Sequence, residues 1–216
     1  MKRTYHRLNL FFKPCSSALH YYQQITGNRN LCMPSDMGCG GIFNLTAINN
    51  YGCWCSFDGL SNRNKGVPQD GIDELCQSLQ KCYRCSIMDG RDSGDLCHPW
   101  TEEYVVNGQW GGKEIEMQCL EANQDDECAF HTCCCEMSFI SRLFEALFEG
   151  AANGAPAYNS ELLHSNGFNY EQTCLPVAPS GPVQLECCGA YPDRSPYNSE
   201  RSTCCNEELF YGQSCP

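Results

Sequence analysis

The sequence predicts a mainly α, disulfide-rich fold: two long helices with a small β-hairpin, followed by a small cysteine-rich module. Three observations predict it. Twenty of 216 residues are cysteine, at the ~8–10% level that marks a disulfide scaffold. Two segments carry apolar residues at spacings of three and four. The cysteines also fall into two groups. Fourteen lie between Cys15 and Cys135, none from Glu136 to Thr173, and six from Cys174 to Cys215. Both groups are even, so each module is expected to close its own bridges.

The elements follow in chain order. Residues 1–30 form an N-terminal extension. Its basic start suits a signal peptide, but Leu8–Phe12 is shorter than the ~7–15-residue apolar core required, and Asn9 interrupts it. The expectation is a leader missing from this sequence, or a fragment. Residues 31–150 hold the helical domain. Ile72, Leu75, Cys76, Leu79, Cys82 and Tyr83 form the first stripe, with Asp70 or Asp73 able to cap it. Glu103–Trp110 reads as a hairpin turning at Asn107-Gly108. The second helix spans about Glu127–Glu149. Cys135, Phe139, Leu143 and Leu147 share a face, and Asp125 and Asp126 precede the start, where carboxylates favour the positive helix end. Small residues around Gly150–Ala157 mark a linker over 151–173. Residues 174–216 form the six-cysteine module.

Composition excludes several functions. The net charge of −12 repels polyanions, and no basic stripe is present, so nucleic acid is not a partner. No apolar run approaches the ~20 residues of a transmembrane segment. Twenty cysteines place the chain on the secretory route, secreted and extracellular. Asn44-Leu45-Thr46 is a glycosylation acceptor consistent with that route.

One ordered set of motifs is specific. Tyr51-Gly52-Cys53-Trp54-Cys55 is followed by Gly66-Val67-Pro68-Gln69-Asp70-Gly71-Ile72-Asp73, by Cys76, and by Cys82-Tyr83. Cys128, Cys133, Cys135 and Glu136 come later. This set resembles the secreted phospholipase A2 family from roughly Cys32 to Phe148. The resemblance implies a pair of antiparallel helices, a calcium loop, and the pairs Cys55–Cys76, Cys82–Cys135, Cys119–Cys133 and Cys97–Cys128. Cys85 and Cys134 are left unassigned.

The departures from that family decide the expected function. Counting back from Cys82-Tyr83, the catalytic histidine position is Leu79 and the calcium-binding aspartate position is Gln80. Leucine has no lone pair with which to accept a proton. Glutamine offers a hard cation one neutral carbonyl. Without the cation a developing oxyanion has no stabiliser. Ser56-Phe57-Asp58-Gly59 replaces a glycine-rich turn, and about five extra residues fall within Leu60–Lys65. Leu75 and Leu143 stand where the family bridges its two helices, so a disulfide has become an apolar contact. Glu136 takes the place of the aspartate that orients the histidine. With Tyr83 and Tyr104 it is expected to form a residual structural network.

Other candidates carry less. His131, near Cys133, Cys134 and Cys135, could be a metal ligand only if those sulfurs were unbridged. His98 reads as an exposed loop residue. Asp89, Asp92 and Asp95 lie in a stretch that reads as a solvated loop, with weak surface calcium as the alternative; it lacks the closing bidentate glutamate. In the last module, Tyr191-Pro192 and Pro196-Tyr197 could pack internally or present a surface. The expectation is no catalytic residue, no metal site and no cofactor beyond surface calcium. The function expected is a structural or interaction role in extracellular matrix, with matrix proteins or a mineral surface as partners. That step extends the resemblance, since inactive members of the family occur in calcified ear stones. Two rivals remain: a binding protein or toxin-like ligand holding an apolar molecule in the former active-site channel, and a calcium-dependent lipid hydrolase with rearranged residues.

Overall fold

A computed structural model describes residues 15–16, 48–57, 63–94, 96–105, 119, 123–152, 159–176, 185–212 and 214–215. Asn44, Asp95 and the expected Asn107-Gly108 turn lie outside them.

Two long helices form the centre: α1 (Gly71–Ser93) and α2 (Glu127–Ala152). Asp70 caps α1 by accepting the Asp73 N–H at 2.9 Å, and Asp126 caps α2 by accepting from Ala129 at 2.9 Å. The helices run antiparallel. Leu75 and Leu79 line one groove with Phe139 and Arg142, Cys82 is bridged to Cys135, and Tyr83 meets Glu136. Their buried seam contains Ile72, Cys76, Leu79, Tyr83, Phe139, Ile140 and Leu143. Burial of these side chains stabilises the pair, at about 1.5–3 kcal/mol for each fully buried large aliphatic or aromatic side chain.

α1 runs further than its stripe suggests. Asp89–Ser93, expected as a solvated loop, is its last turn, closed at Gly94 in the left-handed conformation (φ 91°). The α2 span exceeds the expected one by a turn at its end. Strand β1 (Cys15–Ser16) pairs antiparallel with β2 (Glu103–Tyr104), in the register Cys15 to Tyr104. The partner of Glu103–Tyr104 is thus the N-terminal extension, and not the next residues of a local hairpin. This pairing is long-range, so local turn chemistry does not reveal it.

The segment expected as a linker packs on the first domain from residue 159 onward. Two 3₁₀ turns (Ser160–Leu162, His164–Asn166) and α3 (Tyr170–Thr173) follow one another. The Gly52 N–H donates to the Leu162 carbonyl at 2.9 Å, and the His164 N–H to that of Asn50 at 3.1 Å. These bonds give the backbone the partners that make it ordered structure.

Among the described residues, the last module holds two antiparallel ribbons. β3 (Leu185–Cys188) pairs with β4 (Ser195–Asn198), and β5 (Ser202–Cys205) with β6 (Glu208–Tyr211). Its cysteines do not all pair within it, which corrects the expectation that each group closes its own bridges. Cys188–Cys204 and Cys205–Cys215 are internal, whereas Cys174 bonds Cys53 and Cys187 bonds Cys85. An even count in each group is equally satisfied by two crossing bridges, so parity could not distinguish them. Among the described residues, no helix is long and apolar enough to cross a membrane.

Candidate functional site

The site is built where Tyr51–Phe57 meets the first turns of α1. Gly52 has φ +55°, and a Cβ there would stand 2.4 Å from the Asp73 carboxyl carbon. Only glycine fits. This close approach lets the buried Asp73 carboxylate accept the N–H groups of Cys53 (2.9 Å), Trp54 (2.7 Å) and Gln69 (2.9 Å). Burial raises the Asp73 pKa, and the three N–H donors oppose that rise. Tyr51 donates its hydroxyl to Asp70. Cys55–Cys76 then bolts the loop to α1, and Cys53–Cys174 bolts it to the segment after α3.

Leu79 and Gln80 lie one turn further along. Leu79 is 2% exposed and sits in the main core cluster. Gln80 is also buried, and its Nε2 donates to the Ser56 carbonyl at 3.0 Å. That carbonyl also accepts from Asn64 Nδ2 at 3.0 Å, while Asn64 Oδ1 takes the Ser56 N–H at 3.2 Å. The Ser56 carbonyl thus faces two amide donors. Phe57 lies edge-on to Phe139, with centroids 5.9 Å apart.

Glu136, fully buried on α2, accepts the hydroxyls of Tyr83 at 2.5 Å and Tyr104 at 2.6 Å. Burial, followed by the Glu136 charge, holds the Tyr83 pKa well above its ordinary value. Three elements supply this network: Tyr83 comes from α1, Tyr104 from β2 and Glu136 from α2. It offers a carboxylate and two phenols.

The bridges around the site are Cys82–Cys135 between the helices, Cys97–Cys128 and Cys119–Cys133. Cys85, unassigned from sequence, reaches Cys187, and Cys134 is buried. Near His131, Cys133 and Cys135 are bridged, and the His131 ring stacks on Tyr191 at 3.8 Å and 13°. Burial lowers its pKa. His98 is exposed. Asp89 accepts from the Tyr191 hydroxyl and from Arg194, while Asp92 lies on the surface 3.6 Å from Arg91. Asp89 and Asp92 thus lie in the last turns of α1 and not in a loop. Among the described residues, no group of three or more His, Cys, Asp or Glu could hold a metal ion.

Sequence reasoning missed the triple acceptor role of Asp73, the Gln80–Ser56 bond and the Asp89–Arg194 pair. Asp73 carried a signal in its spacing from Asp70 at a helix start. The other two join residues remote in sequence and carried none.

The chain was compared with known proteins. It is 28% identical to the phospholipase A2 homolog otoconin-22 of Xenopus laevis, over 44% of the chain and 62% of that protein. It is 28% identical to the neutral phospholipase A2 homolog taipoxin beta chain 2 of Oxyuranus scutellatus scutellatus, over 41% and 60%. It is 32% identical to the acidic phospholipase A2 PL-I of Walterinnesia aegyptia, over 42% and 55%. The chain is thus similar to phospholipase A2 proteins and to their homologs over about two fifths of its length. It spans less than two thirds of the length of these curated relatives. No protein-family profile and no solved structure matches it. Phospholipase A2 relatives thus include proteins named as enzymes and proteins named as homologs, and the site residues must separate the two possibilities.

Proposed function

We propose that this is a secreted, non-catalytic phospholipase A2-like protein with a structural or interaction role in extracellular matrix, in its sharpest form a mineral-associated matrix. One observation carries the loss of catalysis. At the expected position of the proton acceptor stands the buried aliphatic Leu79, and beside it Gln80 donates an amide N–H into the Ser56 carbonyl. Leucine cannot take a proton from water. An amide donor aimed at a loop carbonyl occupies an oxygen that a calcium ion would need, and it brings no negative charge. This donor set does not fit the cation, so no hydrolytic step is derived through it. In this reading the Tyr83–Glu136–Tyr104 network is structural.

The matrix role is supported by the similarity to a protein named otoconin-22 and by the net charge of −12, which attracts cations loosely at the surface. Matrix proteins or a mineral face are the partners this reading implies, with Asn44 glycosylated and no resident cofactor. Location tests it. Antibody labelling of tissue and stepwise extraction should find the protein in an insoluble fraction that releases it after calcium chelation. Recovery wholly in soluble extracellular fluid overturns the matrix role.

A further inference from the structure

The groove between α1 and α2 beside Leu79 is walled by Leu75, Leu79 and Phe139, with Ser78, Ser138 and Arg142 at its polar side, and Pro192 of the C-terminal module lines it too. The space left is about 10 Å³, at the lower limit for a single water. The turn that carries Pro192 grips both helices. On the α1 side, Arg194 makes a two-point contact with Asp89, Nε to Oδ2 at 2.8 Å and Nη2 to Oδ1 at 3.1 Å. The Tyr191 hydroxyl adds a third bond to Asp89 at 2.8 Å. On the α2 side, Tyr191 stacks on His131, and Asp193 pairs with Arg142 at 2.5 Å. Cys85–Cys187 tethers the module to α1 just behind this turn.

We propose that Tyr191–Arg194 is an intramolecular plug that keeps an apolar groove between the long helices shut. The groove's occupant is this chain's own segment. Without the turn, Leu75, Leu79 and Phe139 would line an open strip able to take an acyl chain or a similar apolar group. The latch is the Asp89–Arg194 pair. Both side chains are only about one quarter exposed, at 25% and 27%, and the contact is bidentate, the geometry in which an arginine–carboxylate pair is strongest. The Arg142–Asp193 pair is more open, at 42% and 67%, where salt bridges contribute little. The tether holds the turn at high effective concentration, so the closed state re-forms without a partner.

The test uses the full chain with its disulfides intact. Arg194→Ala should make amides of α1 and α2 along the groove exchange hydrogen about tenfold faster or more, because Asp89 loses a charge-assisted partner. The same variant should bind anilinonaphthalene sulfonate, which the unsubstituted protein should not. Asp193→Ala should leave both readouts near those of the unsubstituted protein. If Arg194→Ala does not fold, Tyr191→Phe removes one hydroxyl and should raise exchange several-fold. Exchange and dye binding unchanged in a folded Arg194→Ala variant overturn the plug. So does unchanged exchange in Tyr191→Phe when the first variant fails to fold.

Discussion

Glu136 has no exposed surface, yet two phenols keep it satisfied. Tyr83→Phe removes one of those donors and leaves a buried carboxylate short of a partner. It should cost about 1.5–3 kcal/mol in urea unfolding, the range for hydrogen bonds to charged groups. A change below ~0.5 kcal/mol would show the bond to be dispensable. His131 makes a pH-dependent contribution. Burial holds its pKa below 6.5; Asp89 and Glu127 pull it upward, and Arg194 downward. The unfolded chain therefore binds this proton first. The stability is fully present above about pH 6.5 and is lost as pH falls from there towards the lower folded pKa. His131→Phe keeps a ring against Tyr191 and should remove this component when denaturant midpoints at pH 7.5 and 5.5 are compared. The sequence makes Leu79 and Gln80 legible because Cys82-Tyr83 fixes the helical phase three residues on. It does not reveal the Gln80–Ser56 bond, which depends on how a loop folds back 24 residues away.

The long helices were legible as stripes because one face of each is buried and the periodicity of 3.6 survives in the side chains. Their ends were less so. α1 passes through Asp89–Ser93, whose acidic and glycine residues read locally as a loop. The structure puts Asp89 opposite Arg194, a partner 105 residues away that no local rule contains. The Tyr51–Cys55 loop depends on Gly52 in the same long-range way. Gly52→Ala drives a methyl carbon into the Asp73 carboxylate and forces a left-handed φ. It should destabilise far more than the ~1 kcal/mol of an ordinary exposed Gly position, and a thermal melt would show a large drop or no folded protein. Leu79→Ala tests the core around this buried position. It opens a cavity between α1 and α2 and should cost about 2–5 kcal/mol in denaturant unfolding.

At the scale of the molecule, the two cysteine groups are one covalent unit. Cys53–Cys174 and Cys85–Cys187 cross from the helical domain to the last module, with sequence separations of 121 and 102 residues. Closing such long loops restricts the unfolded chain strongly, and loss of one native bridge costs about 2–5 kcal/mol. A protease site engineered between Cys174 and Cys187 should give one band on a non-reducing gel and two after reduction. Two bands without reductant would contradict the crossing bridge at Cys85. The plug at Tyr191–Arg194 and the acidic surface then describe a closed scaffold bearing charge. The proposed loss of catalysis is tested by fatty-acid release from phospholipid micelles by the purified protein at millimolar calcium, with and without chelator. Release should be no faster than from the lipid alone under both conditions; turnover that calcium supports and chelator abolishes would contradict the proposal.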